Sequence, residues 1–115
     1  SWPENDEKSD SLYVEACMQV WTEPQINWDG RLLGCCCNHW VDFGNVFETP
    51  LKSCLKSEKY IHTKRVLLGL VDPREDSPCY HCYHYKQMRS RGQLKKIYTL
   101  LVYRLIDQFK YGILA

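Results

Sequence analysis

From Gln93 to about Tyr111 apolar side chains return at helical intervals, with Leu94, Ile97, Tyr98, Leu101, Leu105 and Phe109 on one broad stripe. That spacing predicts an amphipathic helix seated by one face on other protein. A second helical stretch carries Tyr60, Ile61, Lys64, Leu67 and Leu68. Its punctuation agrees: Ser57, just before Glu58, suits an N-cap, and Gly69 suits a stop. Thr49-Pro50 opens a helical turn over 50–56, with Thr49 as N-cap and Pro50 in the first helical position. Around Asp29-Gly30 the pattern is that of a hairpin. Gln25-Ile26-Asn27-Trp28 leads in and Arg31-Leu32-Leu33-Gly34-Cys35 leads out, with Asp-Gly supplying the positive φ of a tight turn. Gly34 weakens the second strand, and Gly44-Asn45 signals a further turn. Residues 1–11 read as a polar leader, and Ser11 to Cys17 as a short helical turn or extended entry. The polar run Asp72 to Pro78 is a loop that delivers Cys79.

A length of 115 residues suits one domain with one modest core. Eight Tyr and four Trp mark it as globular. The net charge of +1 argues against a nucleic-acid binder that depends on neutralising phosphates. It hides an asymmetry, because Glu4, Asp6, Glu7, Asp10 and Glu15 crowd the start. Lys86, Arg89, Arg91, Lys95, Lys96, Arg104 and Lys110 crowd the end. The basic end suits a solvated helix face, an acidic partner or, less readily, a membrane surface. No run approaches the roughly 18 apolar residues that span a bilayer, and the acidic N-terminus lacks a signal-peptide core. The odd count of seven cysteines does not suit a secreted disulfide scaffold, so a reducing, cytoplasmic setting is expected. The chain opens on Ser1 rather than methionine, as a piece of a longer protein would.

The chemistry lies in two cysteine groups. Cys17 is followed by twelve residues, Gly30, four residues and Cys35; Cys79-Tyr80-His81-Cys82 comes later. Four soft thiolates select an iron–sulfur cluster or zinc rather than calcium or magnesium. Structural zinc sites usually carry a CxxC knuckle on both halves, and here only the second half has one. Of the adjacent Cys35, Cys36 and Cys37, Cys35 keeps the four-residue distance from Gly30 and is taken as the ligand. If the strand stays extended, Cys36 points to the opposite face. Cys36 is the reserve ligand or a buried neighbour, and Cys37 more weakly so. Cys54 is expected as a core cysteine without a metal. His39, His81 and His84 lie near enough in sequence to be considered, but four cysteines already complete a set. Trp28 and Trp40 are read chiefly as core aromatics, with shielding of the site as a second role. A metal-free thiol redox site at the CxxC is the weakest reading, since no strand precedes it as such motifs require.

The run Cys17…Ile26-Asn27-Trp28-Asp29-Gly30-Arg31-Leu32-Leu33-Gly34-Cys35-Cys36, then Gly44-Asn45-Val46-Phe47-Glu48, a helical stretch over 51–68 and Cys79-Tyr80-His81-Cys82, resembles a SPASM domain. Such domains are the C-terminal auxiliary-cluster extensions of radical S-adenosylmethionine enzymes that modify peptides, proteins and other substrates. The longest members carry two auxiliary clusters on seven cysteines, some after the CxxC. This chain has none after Cys82, so the resemblance implies one 4Fe-4S cluster on Cys17, Cys35, Cys79 and Cys82. The CxxxCxxC motif that cleaves S-adenosylmethionine is absent from these residues. The resemblance therefore implies an accessory domain, partnered by a radical S-adenosylmethionine domain on the same or a separate chain. A zinc-stabilised interaction module is the alternative. The expected fold is α+β: a small, irregular, metal-stapled domain with a hairpin, short helices and a C-terminal amphipathic helix. Its expected parts are a leader at 1–11, a cluster-binding region at 12–90 and a basic helix at 91–115.

Overall fold

A computed structural model describes the backbone of residues 7–112 and the side chains of residues 13–108. Among the described residues, six helices and one two-stranded antiparallel sheet follow in the order α1 (Glu7–Thr22), β1 (Gln25–Ile26), β2 (Leu32–Gly34), α2 (Leu51–Leu55), α3 (Glu58–Leu67), α4 (Pro78–His81), α5 (Tyr83–Ser90) and α6 (Leu94–Gly112). The class is α+β.

Helix α1 is longer than the short entry that the sequence suggests. Residues 7–11 of the expected leader form its beginning, while residues 1–6 lie outside the described residues. Its inward stripe is Val14, Cys17, Met18 and Trp21, spaced three and four apart, with Val14 and Met18 buried. Near its end the backbone carbonyls lack helical partners. The Tyr60 hydroxyl of α3 donates to that of Val20, and the Thr22 hydroxyl bonds back to Met18 at 3.1 Å.

The hairpin forms, but its turn is wider than a two-residue Asp-Gly turn. Such a turn needs Asp29 as well as Gly30 at positive φ. Gly30 has φ +92, and no described non-glycine residue has a positive value. The connection therefore runs over 27–31, closed by Asn27 N–H to Arg31 O at 2.8 Å and Gly30 N–H to Asn27 O at 2.9 Å. Gly30 is needed for a second reason. A Cβ there would lie 2.3 Å from Asn45 Oδ1 and 2.6 Å from the Phe47 ring. This is where the 42–48 loop closes along the free edge of β2, with Phe43 N–H to Leu32 O and Val46 N–H to Gly30 O, both 2.8 Å.

Ser57 caps α3, its Oγ accepting from Tyr60 N–H at 3.3 Å. Gly69, at φ +77, ends that helix, with Gly69 N–H to Val66 O and Leu70 N–H to Arg65 O. At α2 the start falls one residue later than expected. The Pro50 carbonyl takes the first helical bonds, which makes Pro50 the N-cap and leaves Thr49 outside. The loop after α3 leads into α4, a single turn, and Cys82 is both its C-cap and the N-cap of α5.

One buried cluster joins Met18 of α1, Leu32 of β2, Tyr60 and Val66 of α3, Tyr85 of α5 and Ile97 of α6. Leu94 and Ile97 seat the start of α6 in this core, but Tyr98 and Leu105 of the expected stripe are exposed. Phe109 lies outside the described side chains. Among the described residues, no helix is long and apolar enough to cross a membrane.

A cysteine-lined candidate metal centre

Five cysteines from three separate segments line one cavity. Cys17 comes from the inward stripe of α1, Cys35 and Cys37 from the turn after β2, and Cys79 and Cys82 from the two ends of the α4 turn. Val20, Leu67 and Pro78 are among the apolar residues between them. All seven cysteines of the chain are free thiols.

Local structure explains each placement. The backbone turns at Cys35, whose carbonyl accepts from Asn38 N–H at 3.3 Å. Asn38 is 2% exposed and uses its whole amide. Nδ2 donates to Leu33 O at 2.8 Å and to Val41 O at 2.7 Å; Oδ1 accepts from Trp40 N–H at 3.1 Å and Val41 N–H at 3.2 Å. This one side chain therefore shapes the turn that presents Cys35 and Cys37 inward. Cys36 faces out, its N–H donating to Gln19 Oε1 at 2.9 Å and its sulfur 4.0 Å from that of Cys37. On the other half, Cys82 N–H closes the CxxC turn on Cys79 O at 3.2 Å, and His81 Nε2 anchors it to Glu75 O at 2.9 Å.

The thiols feel one another. Burial pushes Cys17 well above the usual thiol range, with Cys79 and Cys35 adding to the rise. Burial lifts Cys35 to about 11, and the backbone N–H groups of Cys37 and Asn38, which favour its thiolate, hold back part of that rise. Cys37 goes to about 12 through burial and then its neighbours Cys36 and Cys35. Burial, then Cys35, raises Cys79 too, against a lowering contribution from the Ser77 hydroxyl. Ser77 is 1% exposed, and its Oγ lacks a partner of good hydrogen-bond geometry. A thiolate at Cys79 is the acceptor it lies beside.

The sequence-derived residues Cys17, Cys35, Cys79 and Cys82 thus share one cavity, and Cys36 lies outside it. Cys37, the weaker candidate, is inside. Cys54 is buried elsewhere, its sulfur against Thr49 O. Of the histidines, only His84 lines the cavity. It stacks on Tyr13 with centroids 3.6 Å apart, and burial lowers its pKa. Trp40 also lines the cavity, while its outer side faces solvent and packs between His39 at 4.1 Å and His81 at 5.8 Å. Trp28 is 87% exposed on the hairpin, so the expectation of a core aromatic fails for it. The turn already places its ring outward. Asn38 and Ser77 escaped the sequence reading. Only Asn38 had a visible signal, as a turn-forming residue just past a cysteine run.

A converged set of buried and half-buried soft thiols with an unpaired hydroxyl beside one of them suits an iron–sulfur group, whose positive irons offset the cost of deprotonating them. A single zinc ion would draw its donors closer. Among the described residues, no three His, Cys, Asp or Glu side chains are gathered tightly enough to hold one ion. The comparisons point the same way. No curated protein and no solved structure matches the chain. A family model described as SPASM, an iron–sulfur cluster-binding domain, matches residues 17–96, more than half of the chain. With that match over the stretch that carries all five cavity thiols, the chain belongs to the SPASM family of iron–sulfur cluster-binding domains.

Proposed function

We propose that this chain is the auxiliary-cluster domain of a radical S-adenosylmethionine enzyme, holding one 4Fe-4S cluster on Cys17, Cys35, Cys79 and Cys82. The observation that carries this reading is the meeting of three distant cysteine segments at one apolar cavity within the family match. Bound there, such a group supplies one-electron acceptance and donation, and it ties the three segments together. With every iron capped by a cysteine, the role is electron transfer or shaping of a substrate cavity rather than direct substrate binding.

The chain's own groups set the conditions. The N–H groups of Cys37 and Asn38 lie where they favour a thiolate at Cys35, and the Ser77 hydroxyl where it favours one at Cys79. Donors to sulfur stabilise the more negative, reduced state and raise the potential. Val20, Leu67 and Trp40 limit water at the cavity. The partner is a radical S-adenosylmethionine catalytic domain, on the same or a separate chain, and it carries the S-adenosylmethionine. The substrate class is a peptide, a protein or another molecule that such enzymes modify. The seven free thiols suit a reducing, cytoplasmic setting.

Anaerobic reconstitution with iron and sulfide tests the reading. The expected result is a broad absorption in the blue part of the visible spectrum, with about four irons and four sulfides per chain, lost in Cys79→Ala. Stoichiometric zinc uptake without iron would overturn it in favour of a zinc-stabilised interaction module.

A further inference from the structure

A four-iron cluster takes four cysteines, yet five line this cavity. The surplus lies in one turn. Cys35 and Cys37 both face inward, while Cys36 between them faces solvent. Cys17 is fixed on α1, and Cys79 and Cys82 occupy separate ends of α4. With these three taken as ligands, one thiol of the turn that carries Cys35 and Cys37 completes a set of four. We infer that Cys35 and Cys37 are interchangeable fourth ligands, giving the site two ligation states. This rests on the proposed cluster-binding function and specifies how that site is ligated.

The two positions differ in what surrounds the sulfur. The sulfur of Cys37 has that of Cys36 4.0 Å away, whereas Cys35 sits at the head of the turn, its carbonyl accepting from Asn38 N–H at 3.3 Å. Ligation through Cys35 keeps the four-residue distance from Gly30 and is the favoured state. The exchange moves one thiolate onto iron and returns a proton to the other, so no oxidant or reductant is consumed. Asn38 holds both residues in the same turn, which lets the exchange proceed by side-chain rotation about a fixed backbone.

The test uses the whole chain, reconstituted anaerobically, as wild type, Cys35→Ser, Cys37→Ser, the double variant and Cys79→Ala. Iron and sulfide content is expected to stay near the wild-type level in each single variant of the pair. In the double variant it is expected to fall as far as in Cys79→Ala. Cys35→Ser losing its cluster as fully as Cys79→Ala, while Cys37→Ser loads normally, would overturn the inference and leave the cluster-binding function intact. A wild type that takes up no cluster would overturn both.

A second measurement needs no variant. Slow alkylation of loaded wild type, followed by peptide mapping, is expected to leave at most one label in the Cys35–Cys37 pair of any loaded molecule. The label should fall mainly on Cys37, with a minority on Cys35. A label that never reaches Cys35 while the cluster persists would overturn the exchange.

Discussion

Asn38 shows how much of the site hangs on one side chain that is not itself a ligand. Its amide satisfies two backbone carbonyls and two backbone N–H groups in the stretch between Leu33 and Val41. Asn38→Ala is expected to lower folding stability by about 3 kcal/mol, because each buried backbone group left unpaired costs about 1–3 kcal/mol and water re-pairs only some of them. Urea denaturation of the metal-free protein measures this directly. Iron uptake is expected to fall as well, since the turn that aims Cys35 inward is no longer held. An unchanged urea midpoint would show that the loop is held by other contacts. Residue type and spacing identified Cys17, Cys35, Cys79 and Cys82 as the candidate set. They ranked Cys36 above Cys37, and the structure reverses that order at the cavity. The alternation of an extended strand sends Cys36 to the face opposite Cys35, and the observed turn at Cys35–Asn38 keeps it outside. Which of the two neighbours reaches the metal side depends on the bonds of Asn38, which bridge residues several positions apart.

At the scale of elements, Tyr60 is the tie between α1, α3 and the loop after β2. It is fully buried, donates to the Val20 carbonyl near the end of α1, and meets Phe43 edge-on with centroids 4.8 Å apart. Tyr60→Phe keeps the ring contact and removes the donor, leaving a buried carbonyl without a partner. The expected cost is about 1–2 kcal/mol, read as a lower melting temperature of the metal-free protein. A variant as stable as wild type would mean that water reaches Val20. Helix α3 and its caps at Ser57 and Gly69 were legible because a capped amphipathic helix announces itself through local residues. The start of α1 was not, because residues 7–11 are polar and carry no apolar stripe of their own. The stripe of α6 was read over its whole length, yet among the described residues Leu94, Ile97 and Leu101 meet the core while Tyr98 and Leu105 are exposed. Periodicity records that a face is apolar and is silent on what covers it.

For the molecule as a whole, the cavity stores a cost that depends on protonation. Cys35 rises to about 11 and Cys37 to about 12, while Cys17 and Cys79 rise as well, chiefly through burial and then through one another. An unfolded thiol titrates near 8.5. Above that pH the unfolded chain binds fewer protons than the folded one, so the stability linked to these thiols is complete below about pH 8.5 and is lost as pH rises toward 11–12. Tyr60, raised by burial, adds loss in the same direction at still higher pH. The metal-free protein is therefore expected to melt at progressively lower temperature between pH 8 and pH 10. The reconstituted protein, whose ligands are already deprotonated, should change much less over that range. Parallel melts of the two forms check this, and equal slopes would show that the thiols are not held buried together. What the sequence by itself determined was local or compositional: the soft-ligand chemistry of four cysteines, the turn at Gly30, the caps of α3, and the family. What only the tertiary structure decided was which thiols meet: Cys37 brought in, Cys36 and Cys54 left out, Trp40 over the cavity and Trp28 away from it. Ligand type is a property of one side chain and can be read in order along a chain. Convergence is set by how α1, the turn after β2 and α4 pack on a common core, and no local spacing encodes that.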